Sequence, residues 1–112
     1  MKELIIYQKV YDLILYIFPI VAKFPKNQRF VLGQQIENGL INLEKLIVQA
    51  NKEKDKKRTL FKVDVELEQV RLLFRLAHDL GFINMKKYEH ISEGLAEIGR
   101  LLGGWMRRVR QS

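Results

Sequence analysis

The chain has 112 residues, no cysteine, and a formal net charge of +7 from 20 Lys and Arg against 13 Asp and Glu. That length makes one domain with a single hydrophobic core, and the lack of cysteine excludes a disulfide framework, a thiolate metal site and a cysteine nucleophile. The longest nearly unbroken apolar run, residues 13–22, is about half of what a membrane-spanning helix needs, and Pro19 interrupts it; with no signal-peptide cleavage pattern, the expectation is a soluble cytoplasmic protein that does not enter the membrane.

The first helix is expected over residues 2–22. Leu4, Ile5, Ile6, Tyr7, Val10, Tyr11, Leu13, Ile14, Leu15, Tyr16, Ile17, Phe18, Ile20 and Val21 cover most of its circumference rather than one stripe. Such a helix needs burial on more than one side, which points to a subunit or partner interface beyond the domain core. Pro19 predicts a kink or an early end.

Pro25 then marks a corner, because it cannot continue a helix and it biases Phe24 away from the α region. Lys23, Lys26 and Arg29 cluster there. The second helix is expected over 26–52, with Gly33, Ile36, Leu40, Leu43, Ile47 and Ala50 at alternating steps of three and four, the seam of a left-handed bundle. Glu37, Asn38, Asn42, Glu44, Lys45 and Gln49 read as its polar surface. Residues 51–59 are polar throughout and read as a solvated turn, with Thr59 as the N-cap of the third helix.

That third helix is expected over 60–80, with Leu60, Val63, Leu67, Val70, Phe74 and Ala77 in strict three-four spacing. Asp64, Glu66 and Glu68 read as favourable charges near its N-terminus. Gly81 sits where a left-handed C-cap belongs, and Phe82 supplies the apolar contact of such a cap. Asn84 reads as the N-cap of a fourth helix over 85–109, whose seam is Tyr88, Ile91, Leu95, Ile98, Leu102, Trp105 and Val109. Four helices with short connections make an all-α, up-down-up-down four-helix bundle over the whole chain.

Glycine placement within the helices is unusual. Gly33, Gly39, Gly94, Gly99, Gly103 and Gly104 each cost about 1 kcal/mol against alanine in a helix interior. Close approach of another helix backbone, within or between subunits, is the expected compensation. Gly103-Gly104 offers the alternative of ending the fourth helix early.

No catalytic constellation emerges. Neither His78 nor His90 follows a Glu at the spacing of a di-iron bundle, and no P-loop, dinucleotide fingerprint or nucleophile elbow is present. The expectation is a non-enzyme without cofactor or metal. The charge pattern is more informative: residues 50–62 carry six cations against two carboxylates, and residues 100–112 carry four against none. Clustered Lys and Arg attract polyanions by releasing condensed counterions. The residues expected to contact nucleic acid or a partner are Lys23, Lys26, Arg29, Lys56, Lys57, Arg58, Arg71, Arg75, Arg100, Arg107 and Arg108. Arg71 and Arg75 share one helix face, so either Glu68 and Asp79 compensate them or an anion does. Trp105 lies among the last arginines and fits either base stacking or the apolar seam.

Three strings carry a family resemblance: residues 21–33 (VAKFPKNQRFVLG), residues 76–82 (LAHDLGF) and residues 98–105 (IGRLLGGW). Together they resemble the accessory variability determinant (Avd) proteins of diversity-generating retroelements, within the four-helix-bundle family that includes the 23S ribosomal RNA intervening-sequence proteins. The resemblance spans about residues 7–107. It implies a homopentameric barrel of bundles that binds the retroelement's reverse transcriptase and its template RNA or cDNA, with no catalysis of its own. It also implies that the apolar first helix and the helix glycines make subunit contacts, and that Lys23, Lys26, Arg29, Arg71, Arg75 and Arg100 contact phosphate or the polymerase. The alternative is a structural helical adaptor of the intervening-sequence type, docking a protein through the first helix.

Overall fold

The computed structural model describes residues 2–111, with side chains from residue 5 onward; the side chain of Leu4, and Ser112, lie outside the described residues. Helix α1 spans Lys2–Val21. Three consecutive stretches, Lys26–Gln28, the π-helical Arg29–Gly33 and Gln34–Lys52, run on as one second helix, α2. Helix α3 spans Lys57–Asp79 and α4 spans Met85–Gln111. Among the described residues there is no strand.

Each helix packs on its chain neighbours, and α1 closes the square by packing on α4. The result is an antiparallel bundle of 47 × 23 × 19 Å. Most of the buried side chains are those of the expected seams: Ile36, Leu40, Leu43, Ile47 and Ala50 from α2, Leu60 to Ala77 at three-four steps from α3, and Ile91, Leu95, Ile98, Leu102 and Trp105 from α4, whereas Tyr88 and Val109 at the ends of the α4 seam are only partly buried. From α1 come Ile6, Val10, Leu13, Ile17 and Val21. A left-handed bundle buries one such seam per helix.

The ends of the helices follow local chemistry. Pro19 lies inside α1, which ends at Val21, two residues later. Gly81 takes a φ of 85°, its N–H donates to the His78 carbonyl, and the Phe82 N–H donates to that of Ala77, both at 2.9 Å. This is the double bond of a Schellman cap, and the Phe82 ring then meets Phe24 with centroids 5.6 Å apart. The Asn84 side chain accepts the Lys87 N–H at 2.9 Å, capping α4 as expected.

The second connection departs from expectation. Thr59 is not an N-cap: α3 already begins at Lys57. Asp55 Oδ1 accepts the Lys57 N–H, and the buried Thr59 hydroxyl donates to Glu53. The earlier start also leaves no acidic residue in the first turn of α3. Asp64, Glu66 and Glu68 therefore sit beyond the reach of the helix dipole, which fades within a turn. Glu66 instead accepts a hydrogen bond from Asn42, across the α2–α3 seam.

The glycines are explained by side chains rather than helix backbones. A Cβ at Gly33 would stand 2.8 Å from Val21 Cγ1, one at Gly39 3.0 Å from Val70 Cγ2, and one at Gly94 3.3 Å from Leu13 Cδ1. At Gly99 the neighbour is Arg71 Nη2, at 2.7 Å. Gly103 and Gly104 face only the folded-back guanidinium groups of Arg107 and Arg108, and α4 continues through both.

Candidate nucleic-acid interface

The expected basic positions fall into three places. At one end of the bundle lies the corner between α1 and α2, beside the α3–α4 turn that Phe82 anchors on Phe24. Lys23 and Lys26 are exposed there. Arg29 is only partly exposed, and its Nη1 donates to the Ala22 carbonyl at 3.3 Å, tying the π turn back to the end of α1. Its Nε is buried without a partner.

Arg71, Arg75 and Arg100 lie along the α3–α4 side. Acidic neighbours stand beside the first two: Arg71 meets Glu68 at 3.2 Å, and the exposed Arg75 comes within 3.8 Å of Asp79. Arg71 Nη2 also donates to the Leu95 carbonyl on α4 at 3.1 Å. Arg100 is exposed.

The opposite end gathers the rest. Because α3 and α4 run antiparallel, the start of α3 and the end of α4 meet. A shared hollow there is lined by Lys57, Leu60, Phe61, Met106, Val109 and Arg110. The two most basic segments of the sequence, residues 50–62 and 100–112, thus converge on one pole. Lys54, Lys57, Arg58, Arg107 and Arg110 are exposed there, and Arg108 partly so. Clustered charge of this kind attracts polyanions over a Debye length.

Lys56 does something different from its neighbours. Its ammonium donates to the carbonyls of Ala50, Asn51 and Glu53 at 2.9, 3.1 and 2.6 Å. These are carbonyls at the C-terminal end of α2, which a cation there satisfies. Glu53 beside it is held below the usual carboxylate range by the hydrogen bond from Thr59, then by that from Gln49.

Trp105 is 2% exposed, which places it in the core and removes it as a stacking platform. The exposed aromatic ring of the basic pole is Phe61, which hydrophobic periodicity does not single out because it stands one position beyond the seam residue Leu60. Both histidines stack on tyrosines: His78 on Tyr88 at 4.4 Å and His90 on Tyr16 at 4.5 Å between centroids.

Much of the apolar surplus of α1 is half-buried by its neighbours, leaving Ile5, Tyr11 and Leu15 exposed. A second apolar stripe, unforeseen from sequence, runs along the outside of α3 through Phe61, Val65, Leu72 and Leu76 to Leu80 just past its end. Glu44, expected on the polar surface, has both carboxylate oxygens buried without a hydrogen-bond partner. Burial pushes its pKa up to about 7.

Among the described residues no helix is long and apolar enough to cross a membrane. A family model described as bAvd-like matches residues 4–109. No curated protein matches the chain.

Proposed function

The chain belongs to the bAvd-like family, and we propose that it is the non-catalytic accessory subunit of a diversity-generating retroelement. In this reading it holds the reverse transcriptase together with template RNA and the cDNA during mutagenic copying. The observation that carries it is the convergence of residues 50–62 and 100–112 on one pole. Lys57, Arg58, Arg107 and Arg110 would meet phosphates there, with contacts that carry little sequence information. Arg71 and Lys56 serve the bundle itself, each donating to backbone carbonyls within the chain, whereas the exposed Arg75, loosely paired with Asp79, stays open to phosphate.

The copies assemble as a homopentameric barrel. Subunit contact falls to exposed apolar side chains that no other helix covers, Tyr11 and Leu15 on α1, Leu72 and Leu76 on α3, and Leu80 at its C-cap. Surfaces of this kind mark protein interfaces. The polymerase falls to the corner, where exposed Phe30 and Val31 stand beside Lys23 and Lys26. Polymerase and nucleic acid would then occupy opposite ends.

Light scattering of the protein alone and with a structured RNA, at low and moderate salt, tests this. A ring-sized particle that takes up RNA and releases it as salt rises supports the reading; a monomer indifferent to RNA overturns it. Charge reversal of Lys57, Arg58 and Arg107 should abolish RNA uptake, whereas reversal of Lys23 and Lys26 should spare it and weaken co-elution with the polymerase. The opposite pattern would move the nucleic acid to the corner.

A further inference from the structure

Phe61 leaves the second turn of α3 on the side away from the core and is 62% exposed. Two hollows flank the ring. One, of about 350 Å³, lies over the α2–α3 seam and includes Leu46, Val65 and Glu66. The other, of about 260 Å³, lies between α3 and α4 and is lined by Lys57, Leu60, Phe61, Met106, Val109 and Arg110. Its walls are apolar, two cations stand among its lining residues, and no carboxylate lines it. Neither the Lys57 ammonium nor the Arg110 guanidinium has an ion-pair partner among the described residues.

We propose that this second hollow is a stacking site for one unpaired base of a single-stranded nucleic acid, with the ring of Phe61 as the platform and Lys57 and Arg110 meeting the flanking phosphates. The inference rests on the nucleic-acid reading of the basic pole and adds the mode of contact. Stacking on an exposed aromatic ring beside cations is how single strands are held without sequence preference, because every base has a π face. A base within a duplex is already stacked on its neighbours and is not available. Stacking also makes no use of the 2′-hydroxyl that distinguishes RNA from DNA. One site therefore serves both a template RNA and its DNA copy.

The dimensions and charge favour this occupant over a peptide. At about 260 Å³ the hollow is slightly smaller than typical ligand sites, which measure about 300–1,000 Å³, so it takes one ring system rather than a docked helix. A docked helix needs a groove with anchors along several turns. Charge complementarity favours a polyanion, because the lining contributes cations alone.

The test compares the full-length protein with Phe61→Leu and with the double variant Lys57→Gln, Arg110→Gln. The probes are a fluorescein-labelled mixed-sequence single-stranded RNA, the same sequence as DNA, and the corresponding duplexes, read by anisotropy across a salt series. Phe61→Leu keeps the apolar volume and removes the π face. It should weaken both single strands about tenfold, leave duplex affinity unchanged, and leave the salt dependence unchanged. The cation variant should make the slope of log affinity against log salt shallower by about 1.4, or about 0.7 per lost phosphate contact on a single strand.

Photocrosslinking of a 5-iodouracil-substituted strand should map to Phe61. If the wild-type protein binds single strands and Phe61→Leu binds them equally well, the stacking site is overturned while the nucleic-acid reading stands. If the wild-type protein binds no nucleic acid, both fall. If Phe61→Leu weakens association with the polymerase and leaves nucleic acid untouched, the hollow belongs to a protein contact and the proposal is overturned.

Discussion

The guanidinium of Arg71 on α3 lies against the bare backbone of Gly99 on α4, where a Cβ would come within 2.7 Å of its Nη2. That nitrogen donates to the Leu95 carbonyl at 3.1 Å, one turn before Gly99. The absent side chain at residue 99 is what lets the cation reach a carbonyl in the middle of a helix. A glycine that looks unfavourable within α4 is thus the receptor for an arginine from its neighbour.

This pair is expected to be energetically coupled. Arg71→Ala should lower stability by about 1 kcal/mol, the loss of a partly exposed hydrogen bond to a charged group. Gly99→Ala gains about 1 kcal/mol of helix propensity and displaces the guanidinium, so its net effect should stay within about 1 kcal/mol of zero. In the double variant the two effects should not add. The coupling, on the order of 0.5 kcal/mol or more, is read from a double-mutant cycle by urea unfolding. Strict additivity would show that the contact carries no stability.

Gly33→Ala should behave differently. The atom in its way is Val21 Cγ1, on a buried side chain of α1 rather than at the end of a flexible chain. Overpacking there should cost about 1–2 kcal/mol despite the gain in helix propensity, measured as a lower urea midpoint at unchanged slope.

Glu44 sets a pH dependence whose sign is fixed by its burial. The folded chain holds this carboxyl's proton up to about pH 7, against an ordinary value of 4.5. Between those values the native state binds more protons than the unfolded one, so stability falls as pH rises through the window and is level above it. Glu44→Gln removes the charged form. After allowance for the partial exposure of the residue, it should stabilise the protein by about 1 kcal/mol at neutral to alkaline pH and by nothing below the window. Thermal unfolding at several pH values checks this; an unchanged pH profile would show that the carboxyl is hydrated in solution.

Lys56→Met should separate structure from binding. Removing the ammonium strands three carbonyls at the end of α2, and should lower the melting temperature by several degrees, as a loss of about 1 kcal/mol does in a domain of this size. RNA affinity at fixed salt should remain close to wild type, unlike that of Lys57→Met. A large loss of affinity for Lys56→Met with intact stability would return Lys56 to the interface.

The seams of α2, α3 and α4 were legible because their inward residues recur at three-four steps, which located most of the core; on α1, apolar on most sides, period could not separate the buried Ile6, Val10, Leu13, Ile17 and Val21 from the exposed Ile5, Tyr11 and Leu15. The caps at Gly81 and Asn84 were legible because those residue types solve a specific backbone problem at a helix end. Thr59 misled for the same reason: it is a good cap type, but Asp55 and Lys56 had already arranged the helix start three residues ahead of the expected one. The π turn over Arg29–Gly33 left no mark, since its residues fit an ordinary helical pattern. Phe61 and the basic pole were hidden more deeply. Their significance depends on antiparallel pairing of two segments far apart in the sequence, and on which side of α3 its neighbours leave uncovered.

The closure of the bundle by α1 on α4 has a kinetic consequence. The other main helix pairs are adjacent along the chain and joined by short turns, so their contacts form at smaller loop-closure cost. The contacts of Leu13 with Gly94, of Tyr16 with His90, and of Lys9 with Glu97 at 3.2 Å join the first helix to the last. They close the largest loop in the molecule and should form after the rate-limiting barrier. Truncating Leu13 should therefore accelerate unfolding while leaving the refolding rate nearly unchanged, whereas truncating Leu43 or Val70 should slow refolding. The first helix would be the last to arrive and the first to leave.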